Sequence, residues 1–139
     1  MSISTSFAIS TLCEMLRTKT EINLSLNHPS ERKSKTIIWP WRIEDISINY
    51  RDGNSPDEIS TLTSHNIHFI ILTKSNLTFE ALSQLDDIRK AIIDNPVMNV
   101  DGKSVQVNLT TLTVDELTSV FLAAGSPLTV CVSAVLRAV

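Results

Sequence analysis

The sequence predicts an α+β domain with a mixed, mostly antiparallel sheet flanked by about three helices. Segments with helical spacing of apolar residues are interspersed with segments in which apolar and polar residues alternate, in the order helix, strands, helix, hairpin, helix, strand. Most connections suit antiparallel neighbours. A length of 139 residues is enough for one core, so we expect a single domain over residues 1–139.

The first two elements are a helix and a strand. Phe7, Leu12 and Leu16 share one helical face, which predicts a helix over residues 4–19. Residues 21–26 then alternate polar and apolar side chains, the pattern of a half-buried strand.

The next region contains a proline inside a strand-like pattern. A short apolar run at residues 36–38 leads into Pro40, which cannot donate a ladder hydrogen bond, so any strand here is expected to be interrupted or at an edge. Alternation resumes over residues 42–50. Residues 51–64 carry Asp-Gly and Ser-Pro dipeptides and are predicted to form a long exposed loop.

The centre of the chain predicts a buried strand followed by a helix. Within residues 65–73 both faces are apolar, since Ile71 points one way and Ile70 the other, which favours a central strand covered on both sides. Thr78 is a candidate cap for a helix that packs on this strand and ends at Asn95, before a proline.

The last third contains the clearest local signals. Residues 97–107 alternate on both sides of Asp101-Gly102, a pair that accepts positive φ, and therefore predict a hairpin. Thr113 and Glu116 have the spacing of a capping box at the start of a short helix. That helix is expected to end at Gly125, and residues 128–139 to form a final strand.

Catalytic and metal-binding patterns are not found in the sequence. The three glycines are far apart, which excludes a phosphate-binding glycine loop, and Cys13 and Cys131 have no second ligand at metal spacing. His65 and His68 are three apart in a predicted strand and would face opposite sides. We therefore expect no catalytic residues, no metal and no cofactor.

The charge distribution also limits the partners. The net charge is −3 and the basic residues are scattered apart from one cluster at residues 32–35, so nucleic acid is not an expected partner. No run of 18 apolar residues predicts a membrane span, and residues 1–7 lack the basic start of a secretion signal.

The best candidates for an interaction site are the two tryptophans and the turn that follows them. Tryptophan is enriched at protein interfaces, and Trp39 and Trp41 flank Pro40 in a region of weak pattern. Burial of one or both in the core is an equally good interpretation. Asp52 and Asn54, on either side of a glycine, are further interface candidates.

Much of the chain resembles the cap, or tail-terminator, proteins of phage-tail-like contractile injection systems. The resemblance lies in the strand Asn-Ile-His-Phe-Ile-Ile-Leu-Thr at residues 66–73 and the helix end Ile-Arg-Lys-Ala-Ile-Ile-Asp-Asn-Pro-Val at residues 88–97. A short helix at residues 117–124, a final strand at residues 127–134 and the first helix also fit the family pattern.

This resemblance implies a structural role rather than an enzyme. Subunits would form a ring, a hexamer, on the distal end of an inner tube and sheath, and would stop the growth of both. The implied partners are other copies of the chain, tube protein and sheath protein, in a cytoplasmic particle. Two alternatives stay open: a small enzyme or ligand-binding domain, and an accessory sheath-binding or immunity module.

Overall fold

The six strands form one sheet with the order β1-β2-β3-β6-β5-β4. A computed structural model describes residues 4–31, 35–52, 55–75 and 77–138, with side chains for all of these except 48–52, 55–63 and 138. The elements in chain order are α1 (Thr5–Thr20), β1 (Leu24–Leu26), β2 (Thr36–Asp52), β3 (Ser55–Thr73), α2 (Thr78–Asp94), β4 (Val97–Val100), β5 (Lys103–Thr110), α3 (Val114–Ala124) and β6 (Cys131–Ala138). Among the described strands β1 and β2 pair in parallel and the other pairs are antiparallel, which confirms the α+β class.

β3 is the central strand that the sequence predicts. It pairs with β2 on one side and with β6 on the other. Ile71 belongs to the first core cluster, between the sheet and helices α1 and α2, where Ile88 of α2 packs. Ile70 belongs to the second core cluster, on the opposite face, where Phe121 of α3 packs. Apolar residues on both faces of β3 are therefore buried, as expected.

The helix ends mostly follow the local sequence signals. At α3, the Thr113 hydroxyl accepts from the backbone N–H of Glu116, whose carboxylate accepts from the N–H of Thr113, so the capping box forms. Gly125 ends α3 with φ 65°. The prediction of a Thr78 cap is wrong: Thr78 is already helical, and Leu77 precedes it without a side-chain cap bond. The helix therefore begins one residue earlier than the capping signal indicates.

The β4–β5 hairpin is confirmed. Val100 pairs with Lys103, and the two residues between them have positive φ, 52° at Asp101 and 77° at Gly102. Two successive left-handed residues match the right-handed twist of the flanking strands, the reason why Asp-Gly is favoured there.

The predicted loop at residues 51–64 is wrong over most of its length. β3 begins at Ser55 and pairs antiparallel with β2, so β2 and β3 form one long hairpin. Asp52 pairs with Ser55, and a register shift next to that pair leaves residues 56–58 as extra residues on β3. This part of β3 does not cross the core, so it does not need the apolar alternation by which strands are predicted.

Pro40 lies where the ladder is irregular. Pro40 pairs with Phe69 and Arg42 with His68, so Trp41 is an additional residue in β2. β1 ends opposite Ile38, and among the described strands β2 has a neighbour only on its β3 side beyond that point. The expectation of an interrupted or edge strand at Pro40 is confirmed.

The last strand begins later than predicted. β6 starts at Cys131, whereas residues 128–130 form the irregular segment that follows α3. β6 then lies between β3 and β5 and joins the two halves of the sheet.

Candidate interaction surfaces

The far part of the β2–β3 hairpin extends beyond the rest of the sheet. β6 ends opposite His65, so residues 55–64 of β3 pair with β2 alone among the described strands. Their partners are residues 46–52 of β2. We call these two segments the ribbon; its seven β2 residues span about 20 Å at the usual rise of a strand. It is the most prominent feature that sequence reasoning missed.

A group of polar side chains occupies the base of the ribbon around Glu44. The Glu44 carboxylate accepts from Nδ2 of Asn66 at 3.1 Å and from the Arg42 guanidinium at 3.1 Å. Its Oε1 lies 3.6 Å from Nε2 of His68. The hydrogen bond from Asn66 holds the pKa of the Glu44 carboxyl below its ordinary value, and the charge of Arg42 acts in the same direction.

Both tryptophans are half-buried and pack against the second core cluster. The indole of Trp39 meets the ring of His28 edge-on, with ring centroids 5.2 Å apart. The indole of Trp41 lies beside His68, with ring centroids 5.7 Å apart, and its Nε1 has no hydrogen-bond partner among the described residues. The pair thus covers one edge of the core while part of its surface faces solvent.

Asp52, another candidate interface residue, lies at the far end of the hairpin. Asp52 is the last residue of β2 and pairs with Ser55. Asn54 lies outside the described residues. The structure therefore brings Trp39 and Trp41 together but separates them from Asp52 by most of the length of β2.

Several exposed apolar residues were not identified from the sequence. On α3 and the segment after it these are Val114, Leu122, Leu128 and Val130, which are 77%, 79%, 65% and 49% exposed. At the start of α2 they are Leu77 and Phe79. Leu82 has the spacing of the apolar stripe of α2 and was expected to be buried, but it is 46% exposed. Phe79 and Leu122 fall outside the apolar stripes that face the core, and that departure is the signal that could have revealed them.

One open cleft is lined by a cysteine. An open cleft of about 290 Å³ lies between β5, α3 and β6, with Arg89 at its border. Cys131 lines it without a histidine or carboxylate among the lining residues, and burial raises the pKa of this thiol. A thiol of that kind is a weak nucleophile without a neighbouring base.

Metal-binding and membrane-spanning features are also not found in the described part of the chain. Within residues 4–31, 35–52, 55–75 and 77–138 there is no group of three or more histidine, cysteine or carboxylate side chains arranged to hold a metal ion. None of the described helices is long and apolar enough to cross a membrane.

Two solved structures are similar to this chain over almost its whole length. One is the sheath/tube terminator of PVC, an extracellular contractile injection system, in its extended state, with a TM-score of 0.59, 13% identity, and coverage of 99% of this chain and 57% of the terminator. The other is the tube-terminating cap of the anti-feeding prophage, with a TM-score of 0.66, 9% identity, and coverage of 99% and 55%. The chain has a tail-terminator fold.

The fold that the resemblance in the sequence implies is confirmed by these two structural similarities. No protein-family model matches the chain, and no curated protein matches it. The chain spans little more than half the length of each similar structure. The part that corresponds is the whole sheet with its helices, since 99% of this chain is covered.

Proposed function

We propose that this chain is a structural cap that ends the growth of the inner tube and sheath of a contractile injection system or phage tail. Copies of the chain form a hexameric ring on the distal end of the tube, within a cytoplasmic particle, and the chain is not an enzyme. The observation that carries the proposal is the similarity of 99% of the chain to two tube terminators.

The distribution of surface features supports this role. A cap needs one surface for its neighbours in the ring and another for the tube, and a head-to-tail contact that closes on itself supplies the first. The chain has separate candidates for these contacts: the ribbon, the half-buried Trp39 and Trp41, and the exposed apolar residues of α3. Within the proposal, Trp39, Trp41, Asp52 and Asn54 contact neighbouring copies or the tube.

The direct test is the length of tubes assembled with and without this protein. Tube protein from the same system is polymerised alone and with the purified chain, and lengths are measured by negative-stain electron microscopy. We expect shorter tubes that carry the chain at one end. Tubes of unchanged length, with the chain bound nowhere on them, would contradict the proposal.

A double variant and a control variant test whether the two tryptophans contact neighbouring copies or the tube. Trp39→Ala combined with Trp41→Ala should abolish capping, because interface tryptophans can each contribute more than about 2 kcal/mol to association. Val120→Ala is the matched control, since it loosens the same second core cluster from a buried position and leaves both indoles in place. Normal capping by the double variant would assign the tryptophans to the core alone.

A further inference from the structure

The ribbon has two free edges. β6 stops opposite His65, which leaves the outer edge of β3 open over residues 55–64. β1 stops opposite Ile38, which leaves the outer edge of β2 open from residue 39 onward, and therefore along residues 46–52 as well. Among the described strands, both edges of the ribbon are therefore unpaired.

Free edges of this length are unusual in a stable protein. In an antiparallel pair about half of the backbone N–H and C=O groups of each strand point toward the partner, and the others point outward. A long row of outward groups is a template for pairing with another chain. A two-stranded hairpin is also only marginally stable by itself, so the ribbon lacks the support that a third strand would give.

The β2 strand of the ribbon has the pattern of a strand with one covered face. Ile46, Ile48 and Tyr50 alternate with polar residues along β2, and the pairing places Leu62 opposite Ile48. Such alternation is typical of antiparallel sheets that cover one face and expose the other. Ile46 is nevertheless 41% exposed.

We propose that the ribbons of neighbouring copies pair edge to edge, the β3 edge of one copy with the β2 edge of the next. This inference rests on the proposed function only in that copies form a ring. Rotation about the ring axis preserves strand direction along that axis, so β3 of one copy meets β2 of the next in antiparallel orientation. The ribbons then close into a cylindrical, all-antiparallel sheet with two strands from each copy.

The occupant of these edges is a second copy because the two edges complement each other. A closed ring needs one donor edge and one acceptor edge on every copy, and the ribbon supplies both. Pairing of β3 with β3 would make alternate copies face opposite directions. A cap whose two ends differ requires all copies to face the same way, so pairing of β3 with β2 is the arrangement that fits.

Amide hydrogen exchange on the full chain tests this pairing. The protein is compared as a dilute monomer and as a concentrated or tube-bound ring. In the monomer, about half of the ribbon amides should exchange rapidly, because only the inward-facing half is bonded. In the ring, exchange over residues 46–52 and 55–64 should slow at least tenfold, whereas residues 97–110, in the β4–β5 hairpin, serve as an internal control and should change little.

Equal exchange of the ribbon in monomer and ring would overturn the inference, as would a chain that stays monomeric at every concentration with and without tube. A second variant replaces residues 49–61 with Asn-Gly, which joins the paired residues Ile48 and Leu62 by a two-residue turn and so shortens the ribbon without a change of register. It should melt cooperatively but form no ring. Rings formed by this variant would refute edge pairing without affecting the capping proposal. If the parent chain forms rings in which the ribbon amides are protected, but these rings do not shorten tubes, the capping proposal is refuted instead.

Discussion

Nδ1 of His65 lies 2.5 Å from Oδ1 of Asp45, across the β2–β3 pair and at the level where β6 ends. From His65 to Leu72, β3 has a strand on each side, and on the N-terminal side of His65 the ribbon begins. The contact joins the two strands of the hairpin at the point where support from β6 stops. It is a side-chain connection at the base of the ribbon.

Loss of this connection should loosen the ribbon and not the core. Asp45→Ala removes a partly solvated pair, whose contribution is about 0.5 kcal/mol, so amides in residues 46–52 should exchange about twofold faster. Ser47→Ala, on the same exposed stretch of β2, is the control and should leave exchange unchanged. A matching drop in the melting temperature of the whole protein would show that the contact supports the core instead.

The buried position of Ile71 predicts a large effect of a charge. Ile71 is fully buried, and Ile71→Asp places a carboxyl in the first core cluster at a cost of several kcal/mol, comparable with the stability of a whole domain. We expect the variant to be unfolded by circular dichroism. Ile43→Asp makes the same change at a residue that is 55% exposed and should fold normally. A cooperatively melting Ile71→Asp variant would show that the central-strand assignment is wrong.

The β4–β5 turn should be sensitive to the loss of its glycine. Gly102 has φ 77°, and Gly102→Ala should lower the free energy of unfolding by about 1–2 kcal/mol because a side chain disfavours the left-handed region. The measurement is the midpoint of urea unfolding. Asp101→Asn is the control, since asparagine tolerates positive φ, and it should leave the midpoint nearly unchanged. Equal midpoints for all three proteins would mean that the turn is not formed in this way.

Glu44 should titrate at lower pH than an ordinary glutamate. Its folded pKa lies below the unfolded value, so its carboxylate stabilises the fold above the unfolded pKa, and this contribution disappears as the pH falls through the folded pKa. Carboxyl titration by NMR should show the low value, and Asn66→Ala should raise it. Asn108→Ala, on the distant β5, should not. If the pKa of Glu44 does not change in Asn66→Ala, the hydrogen bond from Asn66 is not the cause of the low pKa.

The two cysteines should react slowly and in a fixed order. Burial raises the pKa of both thiols, and Cys13 is buried whereas Cys131 is half-buried. In native protein, alkylation with iodoacetamide near pH 8 should modify Cys131 before Cys13, and both more slowly than in urea. A Cys13→Ser variant identifies the faster site by mass spectrometry. Rapid labelling of Cys13 in native protein would contradict the packing of α1 on β1.

Local and buried features were the ones predictable from sequence. The Asp101-Gly102 turn and the Thr113 capping box depend on neighbouring residues, and both form as expected. Ile70 and Ile71 identify a strand with two covered faces because burial leaves an apolar sequence. Residues 55–64 were missed because they lack regular apolar alternation, while the backbone pairing that makes them a strand imposes little on side-chain type.

The candidate site was less predictable for the same reason. Trp39 and Trp41 could be named from their residue type, but their position at the border of the second core cluster depends on the extra residue in β2 and on packing with α3. The exposed Leu122 and Phe79 could not be assigned a partner from a single chain. Contacts between chains leave no periodic signal, whereas contacts with the chain's own core do.

The place of β6 in the sheet sets an order of events during synthesis. β6 lies between β3 and β5, yet it follows both in the chain, so the halves β1-β2-β3 and β5-β4 share no strand pairing until β6 has left the ribosome. Because these contacts join residues far apart in sequence, folding should be slow and late. A nascent chain that lacks β6 therefore cannot form the complete sheet. A chaperone that shields the edges of β3 and β5 while they are still unpaired would raise the yield of folded protein more than one that acts on the helices.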